Sequence, residues 1–242
     1  MKVLIIGESC KDVFVYGKVE RLEPAAPVPI VQATNTVVNG GMAMNVAMNM
    51  KSLGVEYDIC TNSSWETITK TRIVEQNTNY MFLRMDSGED QYGRCDLSQV
   101  DFSKYSAVII SDYNKGYLTK QDIRRICKQH SLTFLDTKKP IGKWCDLATY
   151  IKINNAEYGS SQGITDSVRE KLIITLGAEG AEHLGEKYPV KEAQVKDLSG
   201  AGDTFLAGLV KKYIETKNIN ESIKYANQCA TVVVQKRGVS TL

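Results

Sequence analysis

The stretch DLSGAGDTF, residues 197–205, decides how the chain is read. Gly200, Ala201 and Gly202 are three small residues in a row, and the acid Asp203 follows at once. An apolar pattern at helical spacing then begins with Phe205, Leu206, Leu209, Val210 and Tyr213. The spacing predicts a helix whose first turn holds a carboxylate behind a loop nearly free of side chains. A helix N-terminus carries unpaired N–H groups and the positive end of the macrodipole. Glycines let that backbone come close to an anion. The arrangement suits negative charge developing on a transferred phosphoryl group, with Asp203 placed to take a proton from an attacking hydroxyl. It is not a P-loop, which requires a lysine after its second glycine. A glycine-rich turn followed by an acid that merely complements the helix dipole explains the same residues, so the stretch alone leaves two readings open.

The neighbouring pattern is α/β. VLIIG (3–7), AVIIS (107–111), LTFLD (132–136) and LIITL (172–176) are short apolar runs of the kind buried in a parallel sheet. Helical patterns lie between and after them. Thr119 with Asp122 reads as a capping pair for a helix running to about His130. GGMAMNVAMNMKSLG (40–54) puts Met42, Val46, Met50 and Leu53 on one helical face, with Gly54 as a stop. Asn220 is the expected cap of a last helix with Ile223, Ala226, Ala230 and Val233 inward. The expected fold is a central, mostly parallel sheet flanked by helices. Segments 13–38 and 69–86 break this rhythm. They are rich in β-formers and are expected to make one small sheet lying over the main one as a lid, its apolar face covered by a second subunit.

Composition narrows the class. With 43% hydrophobic and 24% charged residues the chain is globular, and a net charge of +2 gives no footprint for nucleic acid. No apolar run is long enough to span a bilayer, and MKVLIIG lacks a cleavage site, so it reads as a first strand rather than a leader. The six cysteines are scattered without a CxxC pair and read as reduced thiols of a cytoplasmic protein. His130 and His183 are far apart, which leaves zinc and Ser/His/Asp chemistry without support.

DLSGAGDTF resembles the C-terminal signature of the ribokinase-like (PfkB) carbohydrate kinases, and GGMAMNVAMNMKSLG resembles their N-terminal glycine-rich signature. RLEPAAPVPIV (21–31), ISDYNKGYL (110–118), INNAEYG (153–159), ITLGAEGA (174–181) and ANQCATVVVQKRGVSTL (226–242) are similar, in the same order, to one branch of that family. This branch is the D-glycero-β-D-manno-heptose-7-phosphate kinase domain of bacterial ADP-heptose synthase. The resemblance implies one ribokinase-like kinase domain over residues 1–242. It implies ATP-dependent phosphorylation of a sugar or sugar-phosphate hydroxyl, with heptose 7-phosphate at C1 the best-fitting substrate, and Mg²⁺ as cofactor. A monovalent cation is an open further requirement. A homodimer through the lid is the expected assembly.

Residue by residue, the resemblance makes Asp203 the base and Gly200, Ala201 and Gly202 the anion hole. Asp12, Gly40, Gly41 and Asn45 would hold sugar hydroxyls, a task suited to carboxylate and amide groups. Asn154 lies near the phosphates and Glu157 near the metal, while Thr175, Gly177, Gly180 and Asn227 shape the nucleotide pocket. Asp112, Lys115, Asp136 and Lys138 receive no role. Three departures stand out. The first strand ends Gly7-Glu8 where the family has Gly-Asp, DTK (136–138) replaces DPK, and the link from Cys60 to Thr69 is too short for a helical crossover. Trp65 is the bulky residue of that link, and it reads either as a sugar wall or as a partly exposed cover for the sheet edge. The chain is also expected to lack a nucleotidyltransferase domain, so that it would not make the ADP-sugar alone. The competing readings are a ribokinase- or fructokinase-like enzyme, and a nucleotide- or sugar-binding homologue impaired in turnover. A dinucleotide oxidoreductase has little support, since GESCKD is not GxGxxG.

Overall fold

Residues 2–7 send alternate side chains into two different cores. Val3 and Ile5 pack on one side, Leu4 and Ile6 on the other, and all four are buried. This two-sided burial is why β1 (Lys2–Gly7) has an unbroken apolar run. The computed structural model describes residues 1–238 and 240–242. After β1 come the long hairpin β2 (Ser9–Leu22) and β3 (Pro29–Met42), then α1 (Ala43–Ser52) and β4 (Glu56–Cys60). A second hairpin, β5 (Thr69–Glu75) and β6 (Met81–Ser87), precedes β7 (Ala107–Asp112), α2 (Lys120–Gln129) and β8 (Thr133–Thr137). The remainder is β9 (Tyr150–Asn154), the short α3 (Asn155–Gly159) and α4 (Asp166–Arg169), β10 (Leu172–Thr175), β11 (Ala181–His183), β12 (Glu186–Tyr188), α5 (Ala201–Thr216) and α6 (Ile219–Val234).

Eight strands form the main sheet in the order β12-β11-β10-β9-β8-β7-β1-β4. From β4 to β10 every pairing is parallel, and β11 and β12 add an antiparallel edge. One face packs on α1, α5 and α6 through Val46, Met50, Leu206, Leu209 and Ala226. The other packs on α2 through Ile123 and Ile126. Truncating a fully buried side chain here, such as Leu206→Ala, should cost about 2–5 kcal/mol. The C-terminal ends of β1, β7, β8, β9 and β10 all open on the same edge, where ligands of open α/β sheets bind.

The second sheet, β3-β2-β5-β6, is the expected lid. Its strands run further than the sequence suggested, because only Glu8 separates β1 from β2 and β3 runs directly into α1. Met42 is therefore the last residue of β3, at a positive φ of 61°, and not part of the helical face. The inner face of the lid buries Phe14, Tyr16 and Val74. On the outer face Val13, Val38 and Met85 lie in one cross-strand row and Val15, Ile73 and Leu83 in the next, with Val38, Leu83 and Met85 exposed.

The short link behaves as its length dictates. Residues 61–68 hold turns and no helix, so the chain passes from the sheet edge at β4 straight into the lid at β5. Trp65 is half-buried within these turns. The Thr119–Asp122 capping box forms, with Thr119 accepting from the Asp122 N–H and Asp122 from the Thr119 N–H. The cap of α6 is Asn218 rather than Asn220. Asn218 Oδ1 accepts from the backbone N–H groups of Asn220 and Glu221 at 3.0 and 3.1 Å, so Asn220 already lies inside the helix.

Candidate active site

Gly200 stands before α5 at φ 81°, a left-handed conformation that glycine adopts without strain. The helix then starts at Ala201 and places Asp203 in its first turn, buried. Two side chains from other elements reach this carboxylate. Asn45 on α1 donates through Nδ2 to Oδ2 at 2.8 Å, and Tyr113 after β7 donates through its hydroxyl to Oδ1 at 2.7 Å. Burial pushes the Asp203 carboxyl up to about 6, against the downward pull of these two hydrogen bonds. The Asp203 carboxyl thus ionises well above the ordinary carboxylate range. The Tyr113 phenol is held protonated by burial and then by Asp203, with Asp136 and Asp12 adding to the negative surroundings.

A cation lies against the glycine turn. Lys152 on β9 is buried and pairs with Asp136 on β8 at 2.7 Å. A Cβ at position 202 would lie 2.9 Å from Lys152 Nζ, so Gly202 leaves room for the ammonium to approach the start of α5. Asp136 Oδ1 is buried and has no partner. A buried oxygen of this kind is costly unless a proton, water or cation comes to it. Beside it, Lys138 pairs with Glu157 and lies 5.4 Å from the centre of the Tyr113 ring. Asn154 and Glu157 form a reciprocal capping box for α3, at 2.8 Å in each direction.

Glu8 has a structural task. Buried between β1 and β2, it accepts from the N–H groups of Tyr113 and Lys115 at 2.8 and 2.9 Å. It thereby holds the loop that carries Tyr113 to Asp203. Burial and then the Asp112 carboxylate push the Glu8 carboxyl upward. Asp112 itself is buried and paired with Lys139 and Thr137.

The lid brings Asp12 over this region from β2, paired with Arg72 on β5. A Cβ at Gly41 would strike Asp12 Oδ2 at 2.4 Å, whereas one at Gly40 would strike the Met44 side chain at 2.1 Å. Gly41 therefore makes room for the carboxylate and Gly40 for packing against α1. Toward the β11–β12 edge of the sheet, Gly177 and Gly180 turn at φ 62° and 93°, and a Cβ at Gly180 would strike Tyr188 O at 2.1 Å. Thr175 ends β10 beside them, and Asn227 on α6 donates to Tyr188 O at 2.7 Å.

The profile of the pfkB family carbohydrate kinases matches residues 61–242. The chain belongs to that family. It is 30% identical over 296 residues to the bifunctional protein HldE of Helicobacter pylori, covering 98% of this chain and 63% of the relative. It is 28% identical over 291 residues to the bifunctional protein HldE of Klebsiella pneumoniae, covering 99% and 61%. The chain thus spans under two thirds of the length of these curated relatives. Both alignments are longer than the chain, as expected where a relative carries segments that this one lacks. Among solved structures the fold is similar to Arabidopsis thaliana ribokinase in complex with ribose and ATP, with TM-score 0.68, 14% identity and coverage of 98% and 93%. It is also similar to Methanocaldococcus jannaschii nucleoside kinase, with TM-score 0.71, 17% identity and coverage of 98% and 93%.

Within this pfkB fold, the structure joins Gly200, Ala201, Gly202, Asp203 and Asn45 directly. Tyr113 and Lys152 belong with them and went unrecognised in the sequence. Tyr113 is the aromatic just past a strand end, flanked by more conspicuous charges. Lys152 is a cation inside an otherwise apolar strand, a position that obliges pairing.

Proposed function

We propose that this chain transfers the γ-phosphoryl group of ATP to a hydroxyl of a sugar phosphate. The observation that carries the reading is the buried Asp203 carboxylate, held by Asn45 and Tyr113 at the N-terminus of a helix that opens on Gly200–Gly202. The substrate hydroxyl donates to Asp203 and gives up its proton there as its oxygen attacks phosphorus. The bond to the bridging oxygen of ADP breaks. Backbone N–H groups at the start of α5, with the Lys152 ammonium behind Gly202, face the charge on the equatorial oxygens. Asn45 and Tyr113 fix the orientation of the base and keep it ionised at neutral pH.

Mg²⁺ fits the residues present. The free Oδ1 of Asp136 and the carboxylate of Glu157 are the hard oxygen donors that would hold it, directly or through water. Among the described residues no cluster of three or more ligating side chains exists, so the nucleotide phosphates would supply most of its ligands. When bound, the ion neutralises phosphate charge. Asn154, Thr175, Gly177, Gly180 and Asn227 are assigned to the nucleotide, and Asp12, Gly40 and Gly41 to the sugar.

Heptose 7-phosphate is the proposed substrate, phosphorylated at C1. The segment-by-segment resemblance supports it, as does the inner face of the lid, where Lys70, Arg72 and Arg84 lie in two adjacent cross-strand rows. These cations are paired with Asp12, Asp86 and Glu89, acids that a phosphate dianion could displace. The exposed apolar rows of the lid support a homodimer through that face. No helix among the described residues is long and apolar enough to cross a membrane, and a cytoplasmic site of action is part of the proposal. The test is ADP release with heptose 7-phosphate, unphosphorylated heptose, ribose and fructose, each with and without Mg²⁺. Turnover confined to the heptose phosphate is expected. Equal turnover with ribose or fructose would refute the substrate, and no turnover with any sugar would refute the activity.

A further inference from the structure

Cys60 ends β4, and Cys95 lies in the irregular segment between β6 and β7. Their Sγ atoms are 3.9 Å apart, and both residues are partly exposed. Tyr117 Oη lies 3.6 Å from Cys60 Sγ, and the Cys95 N–H donates to Tyr117 O at 2.9 Å. The other four cysteines are buried. We propose that Cys60 and Cys95 form a peroxide-oxidised pair, in which Cys60 is the attacking thiol and Cys95 resolves it to an intrachain disulfide.

Geometry comes first. A disulfide needs sulfurs about 2.05 Å apart, so closure requires a shift of about 2 Å. Cys95 belongs to no strand or helix, and such a shift is small for a coil segment. The two stretches it would join are already in contact. Ser64 Oγ donates to Gln91 O at 2.5 Å, and Thr67 Oγ1 to Gln91 Oε1 at 2.9 Å. The link 61–68 and the segment around residue 91 therefore form one patch beside the open edge of the sheet.

The roles follow from the environment of each thiol. Cys95 Sγ at 3.9 Å and the Tyr117 hydroxyl at 3.6 Å can both donate to a Cys60 thiolate, and these contacts pull Cys60 down against the upward push of burial. The same contact with Cys60, followed by burial, raises Cys95. The thiolate is the nucleophile toward peroxides. Cys60 sulfur attacks one peroxide oxygen, the O–O bond breaks, hydroxide leaves, and the sulfur becomes a sulfenic acid. Cys95 sulfur then attacks Cys60 sulfur, the S–O bond breaks, and the departing oxygen leaves as water with the Cys95 proton. In sum, two thiols and hydrogen peroxide give one disulfide and two waters.

The bridge would act on the entrance to the lid. Thr61 and Asn62 follow Cys60 directly. Asn62 Oδ1 accepts from the Ser9 N–H at 2.8 Å, and Thr61 Oγ1 donates to Ser9 Oγ at 2.7 Å, so Ser9, the first residue of β2, is held from this link. Oxidation should tie β4, the residue 91 region and the root of the lid into one unit. The chemistry does not depend on the kinase reading.

The test treats the folded protein with hydrogen peroxide at tens of micromolar and analyses unreduced peptides by mass spectrometry. The expected product is a linked Cys60–Cys95 peptide, two hydrogens lighter than its parts and cleaved by dithiothreitol. Thermal melting of the bridged protein should rise by roughly 5–10 °C and fall back on reduction. Cys95→Ser should accumulate a dimedone adduct on Cys60, and Cys60→Ser should give neither adduct nor bridge. Circular dichroism verifies that both variants are folded. Should either variant misfold, iodoacetamide competition on the unmodified chain decides, with Cys60 expected to alkylate at least tenfold faster than any other cysteine. Free thiols at both positions after treatment, a bridge between another pair, or no adduct in folded Cys95→Ser would overturn the proposal.

Discussion

Asp203→Asn should make the protein slower and, above pH 6, more stable. A general base contributes about 10²–10⁴-fold, so turnover should fall by that factor, equivalent to about 3–5 kcal/mol in the barrier. The stability term follows from burial. The Asp203 carboxyl sits at about 6 in the fold against an ordinary value of 3.8. Between these pH values the folded state binds more protons than the unfolded state. The stability tied to this group is therefore full below pH 3.8 and lost as pH rises through about 6. At pH 8 the loss reaches about 3 kcal/mol, the cost of keeping the charge buried. Asparagine carries no charge and escapes that cost. Its amide, however, presents a donor to one of the donors that Asp203 accepts from, Asn45 Nδ2 or the Tyr113 hydroxyl, at a cost of about 1–2 kcal/mol. The variant should gain about 1–2 kcal/mol at pH 8 and lose about 1 kcal/mol at pH 4, where the charge cost is nearly absent and the amide mismatch remains. The assays are ADP release under saturating substrates and urea melts at both pH values, with ATP affinity by calorimetry expected to stay within a few-fold. Turnover within tenfold of the parent, or a stability difference that is the same at pH 4 and pH 8, would refute the reasoning.

Tyr113→Phe removes a hydrogen bond that holds the Asp203 carboxyl down, so the acid limb of the pH–rate profile should move up by about one unit, and an unmoved limb would detach Tyr113 from the base. Lys152→Met strands the buried Asp136 and should cost about 3–5 kcal/mol in urea melts, most of it recovered when Asp136→Leu is added; an equally unstable double variant would argue against a paired charge. Leu83→Asp with Met85→Asp places charge in the exposed apolar rows of the lid and should convert a dimer to a monomer by light scattering; a parent protein that is already monomeric at micromolar concentration rejects the lid interface. Trp65→Ala should weaken sugar affinity and leave ATP affinity unchanged by calorimetry, and a loss shared equally by both ligands, or absent for both, removes Trp65 from the sugar side.

The sequence disclosed elements wherever one physical requirement dominated. A strand buried on both faces needs an unbroken apolar run, and β1 and β7 have one. The capping box at Thr119 is local, so it could be read without knowing the fold. The antiparallel edge β11–β12 escaped notice because strands this short carry no measurable period. The choice of Asn218 over Asn220 is also hidden, since both precede the same apolar face and only backbone geometry decides which oxygen meets two free N–H groups.

β9 shows why site residues are harder to read than the elements that hold them. Its sequence YIKIN breaks the apolar run with Lys152, so it does not resemble its neighbours in the sheet. Yet a lysine in a strand with neighbours on both sides must find a carboxylate or pull one into place, because burial of an unpaired ammonium is prohibitive. Strand register supplies the partner. In the parallel ladder between β8 and β9, Lys152 lies opposite Asp136, the acid that ends the apolar run LTFLD. The irregularity that hides the strand is thus the same feature that builds the site. An unexplained charge in a buried run, matched to an opposite charge at the end of the adjacent strand, points to the edge of the sheet that holds the candidate site, and Gly202 shows the consequence by leaving its Cβ position to the Lys152 ammonium.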